Sequence, residues 1–545
     1  MPMLSLHSKS TKPKIGQKTF VNNQLLMKTI QHFFVLVMGL MLLSLAACKK
    51  DSTKIEVSGI VRDANNNPLA GVGVKSALDS VTTDAAGAYS LEAEKQGTIT
   101  YSKGNEYETK TEQVNSRETI NVVLAFSARR LFADYFATAG NQIVDPQINA
   151  STFAAAASLG AVSTPTDAFF TATTYKGAVD PASASPWFSG WSAFARLAAG
   201  QTTTAALPSR PTKVIADADL RGRDTIRWNN DTTYILNGFV FVNSGQVLDI
   251  EEGTIIQGRA GTGASASALV IARGGKILAE GTASEPIVFT YEGDNGGSAF
   301  TLRGQWGGLI ILGNARLNSS PGQTAIEGIP TTETRAIYGG TNDADNSGIL
   351  RYVSIRHGGT NIGADNEINA LTLGGVGSGT IIEYVEVLGN DDDGIEWFGG
   401  TVNGKYLISA YNADDALDYD EGYRGKNQFV IVYQDPTSGA ADRGGEHDGG
   451  TDPETGTPYA TPVFYNATFK GNSATRALTF RDNAGGEYHN SIFFGFGRGV
   501  DIEDLNNQTQ DTYKQWQDGN LKLQNNVFFN IGAGTTADKI FTITN

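Results

Sequence analysis

The sequence predicts a mainly β chain, a right-handed parallel β-helix (solenoid) preceded by a small β-sandwich domain. Three observations carry that prediction. Gly is abundant, 64 residues of 545 against 16 Pro, with no triplet period, which excludes collagen and points to many short strands joined by tight turns. Short apolar segments recur at near-constant spacing from about residue 213 onward. Upstream, residues 55–125 alternate apolar and polar positions between turn clusters. Hydrophobic residues at 40% and charged residues at 18% exclude a polytopic membrane protein and a chain disordered throughout.

The N-terminus has a character of its own. The first 47 residues hold Lys9, Lys12, Lys14, Lys18 and Lys28 and no acid. Lys28 leads into an apolar run, Phe33 to Ala47, of fifteen residues, too short to span a bilayer comfortably. The run ends Leu45-Ala46-Ala47-Cys48, and Cys48 is the only cysteine, so an internal disulfide framework or a thiolate metal cluster is excluded. These residues resemble the lipobox of bacterial lipoproteins, in which cleavage precedes the Cys and the thiol is diacylglyceryl-modified. The resemblance implies a signal peptide over 1–47, with Met27 the more typical start, lipidation at Cys48, a tether over 48–54 and a membrane partner reached through the lipid. The expected location is the cell envelope, at the outer membrane. Each buried acyl CH₂ contributes about 0.8 kcal/mol, so several chains would anchor the protein stably. The chain carries a net charge of -15, and that field repels phosphate backbones, so no nucleic-acid partner is expected.

Within 55–125, Ile55 to Val61 alternates, Asp63 to Pro68 is a turn cluster, and Thr83 to Gly87 turns into Ala88-Tyr89-Ser90-Leu91. Strands at this spacing favour a sandwich. The string SGIVRDANNNPLAGVGV…TTDAAGAYSL, with Gly59, Asp63, Pro68, Leu69, Gly71, Asp84, Gly87 and Tyr89, resembles the carboxypeptidase regulatory-like (transthyretin-like) domain. That resemblance implies a non-catalytic spacer or interaction module.

Residues 126–212 form a mixed helical and aromatic segment. Arg129 to Phe136 carries an apolar stripe of helical spacing. Trp187, Phe188, Trp191 and Phe194 gather near Tyr175. Neighbouring aromatics usually bury one another, so the segment is expected to cap the β-helix by hiding its first coil. The sharper alternative makes Trp187, Trp191 and Tyr175 a platform on which a sugar stacks.

From 213 to 545 the sequence repeats. Phe239 to Gly245 returns thirty residues later as Leu269 to Gly275. Tyr384-Val385-Glu386-Val387 returns as Tyr406-Leu407-Ile408-Ser409 and again as Phe429-Val430-Ile431-Val432, at offsets of 22 and 23. Ile395-Glu396-Trp397-Phe398 returns as Leu417-Asp418-Tyr419-Asp420, and Leu478 to Arg481 as Val500 to Glu503, both at 22. One such coil cannot bury its own apolar face, whereas stacked coils bury a continuous column. The strings WGGLIILGNA (306–315), EINALTLGGVGSGTIIEYVEV (367–387) and DDGIEWFGGTV (392–402) resemble a family of Bacteroidetes secreted or lipid-anchored β-helix proteins.

Alternation points Ile395, Trp397, Leu417 and Tyr419 inward, so Glu396, Asp418, Thr479 and Asp501 form one outward file. Asp392-Asp393 and Asp414-Asp415 enter these strands one coil apart, and Gly445-Glu446-His447-Asp448 offers a further rung. Two carboxylates one coil apart repel by about 3.5 kcal/mol at an effective dielectric of 20 and by about 0.9 kcal/mol in water. A solvated acidic face is therefore the expectation, and it needs no cation. If an insertion such as 433–462 roofs the file, its carboxylates need Ca²⁺, Arg481 or raised pKa values. Asp392, Asp393, Asp414, Asp415, Glu396 and Asp418 are the candidate calcium ligands. Glu396 and Asp418 with Arg481 or Arg476, joined by His357 if it faces the same groove, are the catalytic candidates. The expected function is non-enzymatic binding or adhesion at the envelope, with a polysaccharide or envelope protein as partner. The alternative is a β-helix carbohydrate-active enzyme, a polysaccharide lyase or glycoside hydrolase.

Overall fold

The structure, a computed structural model, describes residues 54–544 apart from 105, 117, 160–164, 364–367, 438, 451–452 and 506–509. The segment expected to be a signal peptide and Cys48 lie outside the described residues. The chain divides into two compact units, one ending at Phe126 and the other spanning Ser127–Asn545.

In the first unit, Lys54–Asp63 pairs antiparallel with Ala88–Glu94 and parallel with Val122–Leu124, while Ser80–Thr82, Gly73–Lys75, Thr98–Ser102 and Lys110–Gln113 form a second, antiparallel sheet. Alternate residues Val57, Gly59, Val61 and Asp63 are buried along the first strand, and Val57 and Val61 share one core with Val74, Tyr89, Leu91, Ile99 and Tyr101. The turn residues act through their side chains. Asp63 accepts the Asn65 and Asn67 amides at 2.9 and 2.8 Å, and Asp84 accepts those of Ala86 and Ala88, both at 2.8 Å. Gly87 has φ +75°, and a Cβ there would lie 2.4 Å from the Val61 carbonyl oxygen, so only glycine fits.

The second unit is a parallel β-helix of three faces. Thr225–Trp228, Val247–Ile250 and Lys276–Glu280 stack as one face, Thr233–Leu236, Ile255–Gly258 and Ile287–Tyr291 as the next, and Phe239–Val242, Ala268–Ile271 and Leu309–Leu312 as the third. From Gly348–Arg356 onward the first two faces merge into long strands: the first half of that strand pairs with Lys276–Glu280 and the second half with Ile287–Tyr291. At the bend stand Tyr352, Tyr384, Tyr406 and Phe429, with φ of 50, 54, 62 and 60°. Positive φ is costly for bulky side chains. Here the rings stack in sequence at 4.4, 4.3 and 4.9 Å, and that packing offsets the strain. Leu309, Leu371, Ile395, Leu417, Leu478 and Val500 belong to the buried interior that runs through the coils.

Register agrees with the offsets of 22 and 23, since Val385 pairs with Leu407 and Leu407 with Val430. The offset of thirty is corrected to 29: Val240 pairs with Leu269 and Leu248 with Ile277. Had the slip of one residue been real, it would have turned every side chain on those strands to the opposite face.

The expected cap over the first coil is also corrected. The helix Ala128–Thr138 covers the last coil instead, where Phe132 meets Trp516 at 4.3 Å and Phe136 meets Phe541 at 5.2 Å. The chain then runs back along the flank as a strap. Gln142–Ile143 pairs with the last-coil strand Val527–Phe529. Trp187 lies against Tyr384 and Tyr406, and Trp191 against Tyr352. Thr212–Ile215 finally pairs with the early strand Thr233–Leu236. The tyrosine stack left the outer flank apolar, and the strap's aromatics bury it.

Candidate functional site: a buried row of carboxylates

The third face positions the acidic residues. Thr372, Glu396, Asp418, Glu446, Thr479, Asp501 and Thr542 occupy one register position on successive strands. Their neighbours Trp397, Tyr419 and Phe480 fill the interior, so alternation sends this row outward. The turns leading into the face have equal length in two consecutive coils, which sets Asp392-Asp393 beside Asp414-Asp415. Asp393 Oδ1 accepts the Asp415 amide at 2.8 Å, and Asn390 donates its amide to Asn412 Oδ1 at 3.0 Å. Gly445-Glu446-His447-Asp448 is indeed a rung, within the strand Arg443–Asp448.

The expectation of a solvated face is corrected. Glu396 and Asp393 are each 7% exposed and Asp415 is 1% exposed, while Asp392, Asp418 and Glu446 are half-buried and Asp414 and Asp442 exposed. Part of the 433–462 insertion supplies the Arg443–Asp448 rung, and its Arg443 lies against Asp415 and Glu446. Asn369 Nδ2 bridges from Glu396 to Glu327, at 3.2 Å from the latter, and Glu327 belongs to the excursion between Leu309–Leu312 and Gly348–Arg356. Arg443 and Arg481 lie over the next rungs.

The carboxylates form overlapping groups: Asp392, Asp393 and Asp414; Asp393, Glu396 and Asp418; Asp414, Asp415 and Asp442; Asp415, Asp418 and Glu446. Within each group, one oxygen per residue lies within 4.8 Å of the others. Burial, followed by repulsion from Asp415 and Asp392, pushes Asp393 well above the usual carboxylate range. Burial, then Glu327 and Asp418, does the same to Glu396. Asp415 is raised by burial and Glu446, and Asp418 by burial, Asp393 and Asp448. Asp418 Oδ1 is buried and has no hydrogen-bond partner.

The counter-charges are few. Arg443 lies 3.3, 2.7 and 3.1 Å from Asp415, Asp442 and Glu446, and Arg481 lies 2.7 Å from both Glu446 and Asp448. Burial opposes each guanidinium's charge, yet Asp415 and Glu446 hold Arg443 above its ordinary range, and Asp448 and Glu446 do so for Arg481. Arg443, Glu446 and Asp442 belong to the site although the sequence did not single out Arg443 or Asp442. An insertion stretches the Asp418-to-Glu446 spacing to 28 residues, and the lost period hid them.

The remaining candidates fall elsewhere. Arg476 pairs with Asp501 at 2.8 Å. His357 is fully buried, its Nδ1 2.8 Å from the Leu302 carbonyl and its ring against Tyr291, and it does not join the row. Trp191 is buried and Trp187 half-buried, and they donate to the carbonyls of Trp187 and Ala178 at 3.0 and 2.9 Å. Tyr175 is half-buried, and its backbone carbonyl accepts from Asn466. Of the three, only Trp191 is fully covered.

Fold and site together define a parallel β-helix carrying a partly buried row of carboxylates on its third face. Residues 221–545 match the family model of the pectate-lyase-like β-helix domain, and the chain belongs to that family. No curated protein matches the chain.

Proposed function

We propose that the protein is a calcium-loaded, non-enzymatic binding protein of the cell envelope, lipid-anchored at Cys48, whose β-helix presents its surface to a glycan or protein ligand. The transthyretin-like unit is its spacer. One observation carries the reading: Asp393, Glu396 and Asp418 crowd their oxygens within 4.8 Å on adjacent coils, with Asp418 Oδ1 buried and unpartnered. Two oxygens each about 2.4 Å from one Ca²⁺ lie at most about 4.8 Å apart, so the triad suits a single ion. Ca²⁺ would hold the coils together and cancel the repulsion that burial intensifies.

The arginines favour binding over lyase chemistry. A base must release its proton, whereas Arg443 and Arg481 are clamped by carboxylates that raise their pKa further. Calorimetric titration of metal-free protein with Ca²⁺ tests the reading. Stoichiometric binding that Asp418→Asn weakens supports it, and absence of binding refutes it.

A glycosidase is the second reading, favoured by the adjacency of Glu396 and Asp418, since paired carboxyls about 5–5.5 Å apart suit a retaining mechanism. Release of reducing ends without unsaturated ends from a polysaccharide panel, lost in Glu396→Gln, would establish it.

A further inference from the structure

We propose that a cavity between the strap and the early coils binds a small organic carboxylate, gripped by Arg356. The cavity has a volume of about 640 Å³ and is lined by strap residues 190–210 and by coil residues that include Ile255, Pro286, Val288 and Arg356. That volume lies inside the range of roughly 300–1,000 Å³ typical of small-molecule sites. It shares no lining residue with the carboxylate row.

The argument turns on a buried charge with unspent donors. Arg356 is 4% exposed. Its guanidinium donates from Nε to Ser354 Oγ at 2.8 Å, and Nη1 is buried with no hydrogen-bond partner. The acid behind it is already committed. Glu386 accepts from Ser354 Oγ at 2.5 Å and from the amides of Ala193 and Phe194 at 2.9 and 2.7 Å. A buried guanidinium with an orphaned N–H is costly, and an oxyanion entering the cavity supplies the missing acceptor.

The remaining lining sharpens the class of ligand. Arg196 and Arg210 are held by the carbonyls of Thr203 and Gly253 at 2.9 and 2.7 Å, so their charge is not neutralised by those bonds. Glu285 is the one acid among the lining residues, against Arg196, Arg210 and Arg356, while Glu386 and Asp294 act on Arg356 from outside the lining. A planar carboxylate matches the guanidinium fork. Leu207, Ile255, Pro286 and Val288 would face the carbon body, which a bare inorganic ion lacks.

The test uses the full chain stripped of calcium on a chelating resin, in buffer free of carboxylates, so that its result is independent of calcium at the carboxylate row. Benzoate and glucuronate are titrated, each against its uncharged amide, with sulfate as the inorganic control. The proposal expects both carboxylates to bind at least about tenfold more tightly than their amides and than sulfate. Arg356→Gln should abolish that preference. Should this variant not fold, Arg196→Ala, at a half-buried position, should weaken both carboxylates by at least about threefold. Equal binding of acid and amide, sulfate binding as tight as either carboxylate, carboxylate binding unchanged in both variants, or no carboxylate binding each overturns the assignment.

Discussion

Glu396 and Asp418 are paired directly across neighbouring strands of the third face, so the coil stacking that builds the core also forces two carboxylates together under cover. Removing one charge should relieve the apo protein. Asp418→Asn is expected to raise the melting temperature in EDTA and to weaken Ca²⁺ binding by about tenfold or more. A lower melting temperature in EDTA would show that the Asp418 charge stabilises the fold.

The pH dependence has a definite sign. Asp393, Glu396, Asp415 and Asp418 are raised well above their ordinary values, so the folded state takes up these protons before the unfolded chain does. Their contribution is fully present below the unfolded pKa near 4 and is lost as pH rises through the folded values. Melts in EDTA should therefore show this contribution declining as pH rises above the unfolded value near 4 and through the raised folded values. Ca²⁺ competes with protons for the same oxygens, so the increment it adds should grow with pH. An increment independent of pH would place the ion elsewhere.

Glu487 behaves in the opposite way. The hydrogen bond with His489 at 2.7 Å and Lys522 at 2.6 Å hold it down at about 2 against the effect of burial. Its contribution is present above the unfolded value near 4.5 and is lost as pH falls toward about 2. Glu487→Gln should flatten the acid limb of the stability curve, read by urea titration at successive pH values.

Trp187 is read as structural. Trp187→Ala should cost about 2–3 kcal/mol, because its half-buried ring packs against the tyrosine stack, and should leave Ca²⁺ affinity unchanged. Unaltered stability with lost glycan binding would make the ring a ligand platform instead.

The β-helix was legible in the sequence because its later coils repeat at a constant length, so Glu396 on Asp418 and Thr479 on Asp501 followed from counting. The early coils differ in length and their apolar runs are continuous, as in Ala268–Ile271, where all four residues are buried. Such a run carries no alternation to fix the register, and the one-residue slip followed. Burial of the acidic row was not legible, since Glu327, which Asn369 bridges to Glu396, comes from an excursion outside the repeat. The strap's course was hidden too: the aromatic content of 187–194 announces burial but does not say against which surface.

Crystals grown in Ca²⁺, with anomalous data to identify the ion, test the central claim most directly. An ion within about 2.3–2.6 Å of oxygens from Asp393, Glu396 and Asp418 is the predicted result. Those carboxylates protonated and hydrogen-bonded to one another, with no ion between them, would contradict it.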